Sequence, residues 1–338
     1  MNDKNADRWT RISATLGAGA WAVLATLAAI GRAPLGSIEL LFLFAPLVIV
    51  PLGLHLGRMM APGGPAWLDG VVLVIQPFAA GLTVASFWFP TGVVAGLLVG
   101  PWAVVCGLIA LRGLLGIAFG AHRPVTSTAI NVGRMDLALA AGWLLVSRLG
   151  IHLSFQEPIV LLTAVHFHYT GFATALLAAT VSEFARRQGH KTRLLAWLVM
   201  LTVLVPFVVA AGFVFSIFLK VMAVAMLSTS VTGVALYTLW LSKDLESGTA
   251  RGFIRVSSIA VLGGMTLATI YGIGDALGKD WLQIPRMAGP HGLLNGLGFV
   301  LLGLLGWMVE QSAAPHTPAA FFPSARQHDA HPSEKSTV

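Results

Sequence analysis

The chain has 338 residues, 56% of them hydrophobic and 10% charged, with a mean hydropathy of +0.81. Soluble domains carry about 25% charged residues, so these proportions exclude a soluble enzyme, a nucleic-acid-binding domain and a disordered protein. The net charge of +7 comes from basic residues scattered in loops, and the single cysteine, Cys106, excludes an intrachain disulfide or a cysteine-ligated zinc or iron–sulfur centre.

Apolar runs of about 20 residues, the length that crosses a bilayer, occur at 13–31, 38–57, 70–88, 91–111, 135–152, 158–180, 195–217, 220–241, 255–275 and 291–310. The fold class that follows is an all-α integral membrane protein of ten transmembrane helices. The first run is longer than a signal-peptide core of roughly 7–15 residues and reads as a retained helix. The stretch 114–120 is too short to span, and either lies at the interface or continues the fourth helix. Residues 1–12 form a cytoplasmic segment, 13–311 the membrane domain, and 312–338, rich in Pro, Ser, Ala and His, a disordered tail.

Loop charges give the orientation. With alternate loops on alternate sides, 16 of the 21 Lys and Arg residues fall on one side. Only Arg32, Arg148, Lys220, Lys279 and Arg286 fall on the other. The positive-inside rule then puts both termini in the cytoplasm. Arg134 and Asp136 are assigned to the cytoplasmic end of the fifth helix, paired with loop charges. Trp9, Trp67, Trp102 and Trp281 read as interface anchors.

Ionisable groups within hydrocarbon are costly and face protein interior or water. In chain order they begin with Glu39, at the outer end of the second helix, which is either an N-terminal cap favoured by the helix dipole or part of a site. Pro46, Pro51, Pro77, Pro101 and Pro206 free backbone carbonyls, which can line a ligand path. Glu157 sits at the outer mouth of the sixth helix and Asp275 near the outer end of the ninth, as candidates for gating or acid–base work. His166 and His168 lie about 12 Å and 15 Å below the outer end of the sixth helix at 1.5 Å per residue. They point about 200° apart on a regular helix. Either each has its own partner on another helix, or the helix breaks near Gly171. Tyr169 and Thr170 share the His166 face. His291 and Asn295, spaced i and i+4, share one face of the tenth helix.

Three segments carry a resemblance: Glu39 to Gly53 with its two prolines, His166-Phe167-His168-Tyr169 with Gly171-Phe172, and His291-Gly292 with Asn295 and Gly298-Phe299. Together they resemble the YndJ-like family of bacterial integral membrane proteins, over residues 32–310. The resemblance implies a multi-pass membrane protein, sometimes labelled a transporter, and assigns no reaction, substrate or residue role.

The residues point to a ligand site in the outer half of the membrane, formed by Glu39, His166, His168, Tyr169, His291 and Asn295. A transporter or small-ligand-binding protein fits best. The alternatives are a membrane-embedded enzyme or redox protein, in which His166, His168 and His291 ligate a metal or haem, and an assembly factor whose polar residues only join helices. No nucleotide-binding motif occurs. The expected partners are the lipid bilayer, a small ligand and, optionally, a second subunit, with no nucleic acid.

Overall fold

A computed structural model describes residues 3–60, 65–120, 124–151, 153 and 155–313. Of the tail expected over 312–338, Ser312 and Ala313 end the last helix and the rest lies outside the described residues. Ten helices are long and apolar enough to cross a membrane, and among the described residues there is no strand. They are α1 Asn5–Ala29, α2 Ser37–Arg58, α3 Trp67–Ser86, α4 Val93–Phe119, α5 Val125–Leu149, α6 Ile159–Arg187, α7 Arg193–Gly212, α8 Ile217–Asp244, α9 Gly248–Ala276 and α10 Arg286–Ala313. An even number of spans brings both ends of the bundle to one face, here termed the terminal face.

Burial separates the spans into a centre and a rim. In α2 and α6, 72% of the apolar window is buried, against 22% in α1 and α8. The centre is therefore built by α2 and α6, with α5 packed along α6 and α10 closing against both. Outward-facing Leu, Val, Phe and Trp side chains on the rim suit contact with lipid tails.

Two expectations need correction. The fifth span begins at Val125 rather than 135. Its first turns carry Thr126, Asn131, Arg134 and Asp136, all buried, so polarity aimed at the bundle hides the helix from a hydropathy scan. Arg134 and Asp136 consequently lie inside the bundle. The Arg134 guanidinium donates to Asn131 Oδ1 and the Gly57 carbonyl. Trp102, expected at the interface, is fully buried. Residues 114–119 continue the fourth helix.

Three central spans depart from α geometry. π-helical turns occupy Ala45–Ile49 in α2, Phe167–Thr174 in α6 and Leu294–Leu301 in α10. In α2 the cause is visible. Pro46 and Pro51 have no N–H, and carbonyls around this turn meet side chains from other spans. Trp21 Nε1 donates to Leu40 O at 2.7 Å, Tyr169 Oη to Leu41 O at 2.9 Å, and Gln76 Nε2 to Pro46 O at 2.7 Å. The Leu47 carbonyl occupies the space a Cβ on Gly17 would need, so α1 approaches this turn through a glycine. The carbonyls of Leu40, Leu41 and Pro46 thus join α2 to α1, α6 and α3.

Candidate functional site

Each π turn falls in one of the three polar segments singled out from the sequence, and π turns inside α-helices occur frequently at functional sites. The segments adjoin. Leu41 fills the space beside Gly292 and Gly296, and Tyr169 also abuts Gly296. Side chains on those glycines would separate α10 from α2 and α6.

On this frame His166 and His291 meet. His166 lies seven residues past Ile159 and His291 five past Arg286, the first residues of α6 and α10, and their ring centroids are 6.5 Å apart at 30°. His166 Nδ1 is 2.7 Å from Leu162 O, and His291 Nδ1 is 3.0 Å from Gly264 O. A carbonyl only accepts, so Nδ1 carries the hydrogen in both rings. Nε2 of each neutral imidazole therefore keeps its lone pair. His166 is exposed and His291 half-buried, so the pair is open to the protein surface where α6 meets α10. Asn295 Nδ2 donates to His291 O at 2.8 Å, and the Asn295 side chain rests on Gly264. A larger residue at 264 would displace it.

His168 is placed differently. It is fully buried, with Nδ1 donating to Ala164 O at 2.8 Å and Nε2 accepting from Trp102 Nε1 at 3.3 Å. Its ring stacks on Trp102 and meets Phe42 edge-on. Both nitrogens are engaged. The helix runs unbroken past Gly171, and the two histidines address different neighbours.

The carboxylates also find partners. Glu39 Oε2 accepts the Gly36 N–H at 2.9 Å, capping α2. Glu157 accepts from the Ser147 hydroxyl and the Leu161 N–H. Arg148 donates to the carbonyls of Ser86 and Phe89, lies over the Phe87 ring, and is within electrostatic reach of Glu157 and Glu39. Asp275 pairs with Lys220 at 2.7 Å, tying α9 to α8.

Among the described residues, no group of three or more His, Cys, Asp or Glu side chains is arranged to hold a metal ion. His166 and His291 offer two nitrogens, and His168 does not join them. A small cavity of ≈ 20 Å³ lies apart from the pair, lined by Thr174, Thr202, Thr238, Ser257, Ser258 and apolar side chains. Those five hydroxyls donate to backbone carbonyls or to Ser230, so the lining holds no spare hydroxyl proton for a ligand.

Polar features the sequence did not single out stand on the terminal face. Glu183 is buried and accepts from Arg186 and Arg187. Glu310 is buried and accepts the N–H groups of Glu246 and Ser247, at the start of α9. Glu183 with arginines three and four residues on is a readable helical pattern; nothing local marks Glu310.

Comparison with known proteins bears on the whole constellation. The model of the YndJ-like protein family matches residues 40–299, which take in all three π turns and both paired histidines except the last turn's final residues. The chain belongs to the YndJ-like family. A relative from Bacillus subtilis (strain 168), the "Uncharacterized membrane protein YndJ", is 28% identical over 192 residues, covering 56% of this chain. The chain spans only 34% of that relative's length. No solved structure matches. The YndJ-like match begins one residue after Glu39, so that cap lies just outside it.

Proposed function

We propose that this YndJ-like protein binds a small solute between His166 and His291 and carries it across the bacterial cytoplasmic membrane. The observation that carries the reading is the pair itself: two imidazoles 6.5 Å apart, each oriented by a backbone carbonyl so that Nε2 is free. Two lone pairs open to one surface suit a solute that donates hydrogen bonds, such as an amine, an amino acid or a polyol. Asn295 supports His291, while Tyr169, His168 and Glu39 hold the frame around the pair. Glu157 and Asp275 fix the helix ends beside it. The loop charges support both termini in the cytoplasm, which puts the pair in the outer half of the membrane. The metal or haem alternative has only two nitrogens to build on.

The test is a thermal-shift panel of amines, amino acids and polyols on the purified chain. A solute should raise the melting temperature of the wild type but not of His166→Ala or His291→Ala. Its uptake into sealed vesicles should fall at least tenfold in both variants. Uptake unchanged by both replacements would end the reading.

A further inference from the structure

Asp136 stands at the midpoint of the helix Pro124–Leu149, fully buried, and neither carboxyl oxygen has a hydrogen-bond partner. It is wedged against the π turn of α6: a Cβ built on Gly171 would lie 2.7 Å from both Asp136 Cβ and Oδ2. One turn earlier on the same face is Gly133. There the carbonyl oxygens of Gly171 and Phe172 come within 3.2 Å of the position a Cβ would take. The polar atoms the π turn presents to this face are therefore acceptors.

The titratable and charged groups on the elements packed against α5 are Cys106 and Arg112 on α4, Glu39, His55 and Arg58 on α2, His166, His168, Tyr169, Glu183, Arg186 and Arg187 on α6, and Arg193 on α7. None of them bonds to Asp136. Arg134, two residues away, turns to Asn131 and Gly57 instead. A bare carboxylate facing carbonyl oxygens inside a membrane is heavily penalised. A carboxylic acid is not, and a small shift would let its O–H donate to one of those carbonyls.

We propose that Asp136 is a proton-binding site at the centre of the membrane domain, holding one proton while α5 and α6 are packed together and releasing it when they part. Release breaks the carboxyl O–H bond and passes the proton to water admitted between the helices, leaving a hydrated carboxylate. Rebinding neutralises the carboxylate and permits Gly171 to close on it. The π turn supplies a segment able to change its hydrogen-bond register as this happens. The inference goes beyond solute binding at the histidine pair and does not depend on it.

Infrared spectroscopy of the purified full chain in lipid nanodiscs at neutral pH tests it. The wild type should show the C=O stretch of a buried carboxylic acid, shifted by isotopic labelling of the aspartate carboxyl carbons and unchanged by replacing sodium with potassium. The band should be missing from whichever of Asp136→Asn and Asp136→Ala folds. Labelling of the wild type makes the assignment to aspartate without any variant. Absence of the band, its persistence in a folded variant, or carboxylate bands that respond to sodium would overturn the proposal. The last would make the site one for a metal cation. A failed solute panel alongside a present band would sink the histidine-pair reading alone.

Discussion

The terminal face of the bundle and the histidine pair treat polar side chains in opposite ways. Towards the terminal face, charge is matched: Asp69 meets Arg112 at 3.3 Å, Asp7 meets Arg58 at 3.2 Å, and Glu183 lies 2.7 Å from Arg186 and 2.8 Å from Arg187. Towards the other face, His166 and His291 each leave one nitrogen open, and at the centre Asp136 has no partner at all. Matched groups account for themselves as structure. Groups left open by a frame this well bonded are where a ligand or proton has something to gain.

Replacements should separate the faces by what they cost. The largest effect is expected at Asp69→Ala, which strips Arg112 of its carboxylate beside a second buried arginine, Arg134. A buried charge left alone costs about 3 kcal/mol, to be read as a fall in the unfolding midpoint in detergent. A fall no greater than that of a surface replacement would break the matched half of the comparison. Gly171→Ala follows, because the new methyl meets Asp136; overpacking of this kind costs about 2 kcal/mol, and a larger Gly171→Val should cost more.

Tyr169→Phe removes one bond between α6 and α2 while keeping the ring, so about 1 kcal/mol should be lost. Trp102→Phe removes the N–H that His168 accepts and should cost a similar amount. His166→Ala should cost least, within about 0.5 kcal/mol, since the side chain is exposed and bonds only to its own helix. The smallest effect on stability thus falls at a residue assigned a large effect on binding. Equal destabilisation by His166→Ala and His168→Phe would erase the distinction between site and frame.

Much of the fold is legible in the sequence, since length and hydropathy suffice for ten spans. The fifth shows the limit of that signal: Arg134 and Asp136 look like the edge of a membrane span only when polarity is equated with loops. The three segments of the site are also legible, as polar residues among apolar ones. The helical wheel sends His166 and His168 to opposite sides, as their neighbours require. It says nothing about which spans adjoin, so neither His291 beside His166 nor Trp102 beside His168 is readable. The prolines of α2 announce an interrupted backbone ladder, but Trp21, Tyr169 and Gln76 as donors to nearby carbonyls depend on packing between distant segments.

The central claim, that His166 and His291 present open nitrogens at the protein surface while His168 does not, is met most directly by chemical modification. Sealed right-side-out vesicles would be treated with diethyl pyrocarbonate, which acylates accessible unprotonated imidazole nitrogen, and the sites mapped by mass spectrometry. The account predicts rapid modification of His166 and His291 and sparing of His168. Modification of His168 as fast as its neighbours, or protection of both His166 and His291, would contradict it.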